Sequence, residues 1–368
     1  MPDISARDVI QLFLHPESAA SIDAERWQQI ILVLRYQQLL ARYAKRIRKA
    51  GVFEQVHKYA QHHLINAEII ADKQYQQVHY EASLLQQQIG GIGSHLIFLK
   101  GAGYSLSGLS VGVGRTYSDI DILVDKTAIS DIEKTMSLNG WLPEEMDEYD
   151  QKYYRQWAHE IPPMKHATRG TLIDIHHNII PVVSTRAPDI NLLFEHTVIT
   201  KDGYQILDKP AMTLHSLIHL FYNEEFKYGY RDLLDLHLLM SDNTEEYWQQ
   251  LLDLAESTGF ERELFYACRY TNRLTSTAIP EHVVNLLNQK NSGPILPIVD
   301  FIFTQLLIPS HPTVRSPSYS LAAFMGFLRG HHLKMPLPVL IYHSVNKAWR
   351  LIIEYFLGNT FFDKEKTH

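Results

Sequence analysis

The chain predicts an α+β fold, a small mixed sheet flanked by helical N- and C-terminal modules. Three observations predict it. Residues 5–90 carry apolar side chains at helical spacing, short continuous apolar runs gather between about 91 and 208, and helical spacing returns from 209 onward. The expected modules are therefore 1–90, 91–208 and 209–368, and a chain of 368 residues is long enough to give them a sizeable core.

In the first module, Trp27, Ile30, Ile31, Leu34 and Ala41 share one face of the segment Ala24 to Lys49. Tyr36, Leu40, Tyr43 and Ile47 form a second stripe, so one helix packed on both sides is expected. A second long helix is expected from Phe53 to Gln88, stopped by Gly90-Gly91. His95 to Leu99 then reads as a buried strand. Lys100-Gly101-Ala102-Gly103 leads into a short helix ending near Leu109, and a glycine-rich loop, Gly112-Val113-Gly114, precedes a strand from Asp119 to Val124. Asp125-Lys126-Thr127 starts a helix whose Ile129, Ile132, Met136 and Leu138 lie on one face up to Gly140. Ile161 to His166 and Thr171 to Ile175 predict a hairpin turning at Arg169-Gly170.

In the last module Pro210 suits a first helical turn, and helices are expected over Tyr230–Met240, Glu245–Ser257 and Glu261–Leu274. Pro309, Pro312 and Pro317 mark a loop at 308–318, and a final helix is expected from Pro338 to Leu357. Phe324, Phe327, Tyr342, Trp349, Tyr355 and Phe356 fall at helical spacing and are expected to pack inward. Arg329, His331, His332 and Lys334 are the candidates for a local basic patch.

Composition narrows the function classes. Hydrophobic residues make up 45% and charged residues 20%, and the formal net charge of −7 gives no global basic field for nucleic acid or anionic membrane. Nucleic acid as a partner is thus open but not favoured. The single cysteine, Cys268, excludes an internal disulfide, fits a reducing compartment and is expected to be buried. No charged-then-apolar leader opens the chain, and its apolar runs fall well short of the roughly 20 residues of a membrane span. A cytoplasmic protein with no membrane contact is expected. The twenty histidines show no zinc-finger spacing.

The chemistry concentrates in Gly112-Val113-Gly114-Arg115-Thr116-Tyr117-Ser118-Asp119-Ile120-Asp121. Strand alternation points Asp119 and Asp121 the same way. Two carboxylates that close repel unless a cation lies between them, and oxygen-only ligands favour Mg²⁺. Asp174, flanked by Ile173 and Ile175, is the candidate third carboxylate for a two-ion centre and a candidate general base. His176 shares its face and either orients Asp174 or the substrate, or is a hydrogen-bonded core histidine; His177 faces away. Gly101 at a strand-to-helix turn lets backbone amides approach a phosphate. Lys100 offers a point charge, Arg115 a bidentate clamp and Ser118 a hydroxyl, with Gly114 in the loop that carries them. His215 and His219, at i and i+4, are expected in core roles, and Arg231, Asp232 and Asp235 are expected to brace the last module as a polar network.

These residues resemble the DNA polymerase β-like nucleotidyltransferase superfamily, with Gly101 at the turn, Asp119 and Asp121 on the next strand and Asp174 on a later one. More closely, the chain resembles the bacterial uncharacterised nucleotidyltransferase family over about residues 60–245. The similarity lies in Leu99-Lys100-Gly101, the Arg115 to Val124 strand, Asp174 to His176, Leu214 to His219 and Arg231 to Leu239. One departure is Ala102, where the superfamily usually places serine or glycine; backbone amides, Lys100 and Ser118 serve instead. The resemblance implies a nucleotidyltransferase core and transfer of an NMP from an NTP, with two Mg²⁺ ions, to an unidentified acceptor, a small molecule or biosynthetic intermediate. It also allows a toxin-like transferase acting on tRNA or a protein, or a non-catalytic nucleotide-binding scaffold.

Overall fold

A computed structural model describes residues 4–146, 148–342 and 349. Four helices open it: α1 (Ala6–Leu14), α2 (Ala24–Tyr36), α3 (Leu40–Lys49) and α4 (Lys58–Ile89). The expected helix from Ala24 to Lys49 is two helices. The chain breaks at Gln38, which takes a left-handed φ of 56°, and Leu39 N–H returns to Leu34 O. Two apolar stripes on one sequence segment therefore belong to two helices. Tyr36, expected in the second stripe, is exposed at the break.

The sheet follows, with helices between its strands. In order come β1 (Leu96–Phe98), α5 (Lys100–Ser107), β2 (Asp119–Val124), α6 (Ile129–Leu138), β3 (Trp141–Pro143), α7 (Glu148–Gln156), β4 (Met164–His166), β5 (Leu172–His176), α8 (Asn191–Phe194), β6 (Thr197–Ile199) and β7 (Gln205–Leu207). The seven strands form one sheet in the order β3-β4-β5-β2-β1-β7-β6. β2 runs antiparallel to β1 and parallel to β5, while β4 and β5 form the expected hairpin. Both faces of β2 are buried past Asp119, in keeping with its near-continuous apolar sequence. β3 and the β6–β7 hairpin are short edge pieces that the apolar pattern does not single out.

The remaining helices are α9 (Lys209–Tyr222), α10 (Gly229–Met240), α11 (Glu245–Thr258), α12 (Glu261–Thr275), α13 (Glu281–Asn291), α14 (Leu296–Leu306) and α15 (Tyr319–Lys334). Cys268 is buried in α12. In α15, Phe324 and Phe327 are exposed, against expectation. Ala322, Gly326 and Gly330, at four-residue spacing, face the core instead. A Cβ on Gly326 would come within 2.7 Å of Leu306, and one on Gly330 within 2.7 Å of Asn223 O, so close backbone packing decides the face. The basic patch does not form as a free surface, because Arg329 donates to Phe221 O and Lys334 pairs with Glu224. Most of the expected helix from Pro338 to Leu357, with Tyr355 and Phe356, lies outside the described residues.

Two hydrophobic cores result. One lies on the sheet and the C-terminal helices, the other among α1–α3 and the start of α4. The 32-residue α4, about 48 Å long at 1.5 Å per residue, serves both. Ala60 and Leu64 pack in the N-terminal core, Val78, Ala82, Leu85 and Ile89 on the sheet. Its face is held to the β4–β5 hairpin by Glu81, which takes Arg169 at 2.7 and 3.0 Å and the Thr171 hydroxyl at 2.7 Å. The glycine-rich loop reaches α3 at Gly114, whose φ is 66° and whose missing Cβ would lie 2.8 Å from the Arg42 backbone. Gly108 shares that backbone region, with φ 68°, but has nothing within 4 Å.

Gly108→Ala is expected to cost ~1–2 kcal/mol for the left-handed backbone alone. Gly114→Ala is expected to cost a further ~1–3 kcal/mol for the clash with α3. Urea midpoints of the two variants measure the difference, and equal costs would show that the loop does not depend on that contact.

Candidate active site

The parallel register of β2 on β5 sets Asp121 opposite Asp174 and Leu123 opposite His176. Side chains alternate along both strands, so Asp119, Asp121, Asp174 and His176 share one face while the isoleucines fill the other. One ligand atom from each of Asp121, Asp174 and His176 lies within 4.8 Å of the others. Asp119 stands one pleat earlier, outside that group, on the wall of a cleft.

Two basic side chains sit on the buried Asp121. Lys100 Nζ lies 2.6 Å from its Oδ1, and His176 Nε2 lies 3.0 Å from the same oxygen. Lys100 reaches it from the turn after β1 with a left-handed φ of 41°, a conformation that costs a non-glycine residue about 1–3 kcal/mol. Glycines make the turn possible, since a Cβ at Gly103 would strike Phe98 O at 2.6 Å. The other nitrogen of His176, Nδ1, lies 3.3 Å from Glu160 Oε2.

These contacts separate the carboxylates. Burial alone would raise Asp121, but Lys100 and His176 outweigh it and hold the carboxyl well below its usual range. Asp174 is pushed up to about 7, first by burial, then by the charges of Asp121 and Glu160. Asp119 is raised by burial and by Asp121. Burial would lower Lys100 and His176, yet their carboxylate neighbours hold both above their ordinary values.

The cleft, of about 320 Å³, opens between this sheet end and the helices. Lys100, Gly101, Ser118, Asp119 and Asp121 line one side, with Tyr104 and Tyr117. Gln38, Ser216, His219, Tyr228, Arg231, Asp232 and Asp235 line the other. Arg115 lies between them, 8% exposed, with Nε 3.0 Å from Asp235 and Nη2 3.6 Å from Asp232. Its guanidinium is thus already held by two carboxylates. Asp235 also takes Arg42 Nη1 at 2.6 Å, and Arg231 bonds Asp232 at 2.8 Å and Gln38 at 2.7 Å.

The structure therefore brings Asp121, Asp174 and His176 to one point and places Lys100, Gly101, Arg115, Ser118 and Asp119 around the adjoining cleft. Gly114 does not line it; it packs on α3. The expected polar network of Arg231, Asp232 and Asp235 is present, and it forms the far wall of the cleft. His215 is buried beside it in α9, while His219 reaches the lining. Sequence reasoning missed Gln38, Arg42, Tyr104, Ser216, Tyr228 and Glu160. The spacing of Arg231 and Asp235, one helical turn apart, was a signal for that wall; nothing local marks Gln38 or Arg42.

The carboxylate and imidazole donors of Asp121, Asp174 and His176 stand close enough to hold a divalent cation. Among the described residues no helix is long and apolar enough to cross a membrane. No curated protein matches the chain. A family model described as "Uncharacterised nucleotidyltransferase" matches residues 23–276, which takes in every residue of the cleft and of the carboxylate group. With well over half its length matched, the chain belongs to the uncharacterised nucleotidyltransferase family and is a nucleotidyltransferase.

Proposed function

We propose that the protein transfers an NMP group from an NTP to an acceptor hydroxyl or phosphate, using Mg²⁺ ions held by Asp119, Asp121 and Asp174. The observation that carries this reading is the register pairing of Asp121 with Asp174, where Asp121 and Asp119 also line the cleft that holds Lys100, Ser118 and Arg115. Bound Mg²⁺ supplies charge neutralisation for the triphosphate and for the oxygens of the attacking and leaving groups.

The chain's own residues do the rest. Gly101 and Lys100, at the start of α5, face the polyphosphate with backbone amides and an ammonium. Ser118 adds a hydroxyl at the mouth. Arg115 is pre-oriented by Asp235 and Asp232, so it presents a fixed positive edge rather than a swinging side chain. The acceptor oxygen bonds the α-phosphorus, the bond to the bridging oxygen of pyrophosphate breaks, and Asp174 takes the acceptor proton. Without a bound cation its carboxyl is pushed up to about 7, first by burial and then by Asp121 and Glu160. His176, hydrogen-bonded to Asp121, keeps that carboxylate in place.

Calorimetry with each of the four NTPs in Mg²⁺ tests the reading without knowledge of the acceptor. Asp121→Asn and Asp174→Asn are each expected to weaken Mg²⁺-dependent NTP binding by more than about 100-fold, beyond the usual cost of an outer partner. Unchanged binding in folded variants would refute it. The pH dependence has a definite sign. Asp174 is raised, so below about 7 it carries a proton that a cation must displace. Affinity for Mn²⁺, read by its electron-spin signal, is expected to climb roughly fivefold from pH 6 to pH 7, to about tenfold by pH 8, and to level off above. In Asp174→Asn that climb disappears.

A further inference from the structure

His176 touches two carboxylates through its two ring nitrogens. Nε2 meets Asp121 at 3.0 Å, inside the active site, and Nδ1 meets Glu160 at 3.3 Å, on a strip of chain the transfer reading does not use. That strip is stitched along β5. Glu160 is the antiparallel bridge partner of His176, Ile161 N–H donates to Ile175 O at 3.0 Å, and His177 N–H donates to His159 O at 2.8 Å. The register brings His159 against His176 as well, with ring centroids 5.2 Å apart. One ligand atom from each of His159, Glu160 and His176 lies within 4.8 Å of the others. His159 Nδ1 is shielded from solvent and has no hydrogen-bond partner among the described residues.

His176 directs Nε2 at Asp121 and Nδ1 at Glu160, so a metal ion can take the second nitrogen together with that carboxylate. Nδ1 and the carboxylate become ligands, and Asp121 becomes the outer carboxylate that fixes the tautomer of a metal-bound histidine. His159, with a ring nitrogen within 4.8 Å of both ligands, adds a third donor. Two imidazoles and one carboxylate, with a position left for water, form a set that suits Zn²⁺ and its neighbours rather than Mg²⁺.

We propose that His159, Glu160 and His176 form a second metal site, for a divalent transition ion of the zinc class, back to back with the carboxylates of the active site. The site stands on its own ligands and does not depend on nucleotidyl transfer. Its consequence for the active site is that the ion fixes which nitrogen of His176 donates to Asp121.

The test is Co²⁺ titration of the chelator-stripped full chain, followed by its visible d–d absorption. One equivalent is expected to bind with imidazole-type bands, to be displaced by Zn²⁺ and to resist excess Mg²⁺. His159→Ala is expected to weaken Co²⁺ at least about 100-fold, and Glu160→Gln at least about tenfold. Asp174→Asn, which removes an active-site carboxylate and none of the three proposed ligands, should leave the bands in place. Absence of bands in the native chain would overturn the proposal, since a second proton on His176 then supplies the charge. Bands that survive His159→Ala would overturn it too, because the ion would then sit elsewhere, at the active-site carboxylates if Asp174→Asn removes them. Circular dichroism checks each fold, and the size-conserving Glu160→Gln carries the test should His159→Ala fail to fold.

Discussion

Two carboxylates, one buried and one half-buried, face each other across neighbouring parallel strands, and the site is arranged around their repulsion. Asp121 and Asp174 are locked in register by the β2–β5 ladder, so neither can slide away without flipping its whole strand. Buried like charges of this kind do not both ionise without a counter-charge. The protein supplies it unequally. Lys100 and His176 both settle on one oxygen of Asp121, and Asp174 is left to hold a proton near neutrality. The left-handed backbone at Lys100 is intelligible in the same terms, as local strain accepted to bring an ammonium to that oxygen.

A second constraint ties the helical modules to this centre. The Asp235 carboxylate accepts from Arg42 on α3 and from Arg115 on the glycine-rich loop, and both pairs are almost wholly buried. One side chain of α10 thereby joins the N-terminal helices, the loop before β2 and the C-terminal helices. Such buried pairs add little net stability, but removing one partner strands an uncompensated charge. The arrangement fixes geometry: Arg115 is aimed, the loop is pinned by Gly114 on α3, and Gln38 at the α2–α3 break reaches the lining. The N-terminal helices are therefore part of the wall of the cleft.

How much of this was legible depended on the range of the interaction that fixes each feature. The strand Asp119 to Val124 and the shared face of Asp119 and Asp121 follow from local periodicity, and the structure reproduces that strand at both ends. The facing of Asp174 and His176 is local too. The break between α2 and α3 was hidden, because the second apolar stripe serves a different neighbour and no proline or glycine marks the bend. Phe324 and Phe327 misled because an aromatic helix normally buries its large side chains; here small residues at 322, 326 and 330 allow a closer backbone approach. Arg115 and Asp235 lie 120 residues apart, and no spacing rule could pair them. The similarity read from motifs began near residue 60, whereas the family match begins at residue 23 and includes Gln38 and Arg42.

The charges of the cleft carry one more step. Its lining holds three permanent cations, Lys100, Arg115 and Arg231, against four carboxylates, Asp119, Asp121, Asp232 and Asp235. His219 adds no charge, because burial and the nearby Lys100 press it toward the neutral form. Three of those carboxylates already engage the cations, so the wall has no surplus positive field to draw in a polyphosphate. A strongly anionic substrate gains from entering such a cleft only when counter-charge enters with it. Asp119, raised by burial and then by Asp121, and not matched by an ion pair of its own among the described residues, is a lining carboxylate that added positive charge would relieve. On the proposed reading, nucleotide and divalent cation bind as one coupled event, with the carboxylates of β2 and β5 as the reason for the cation.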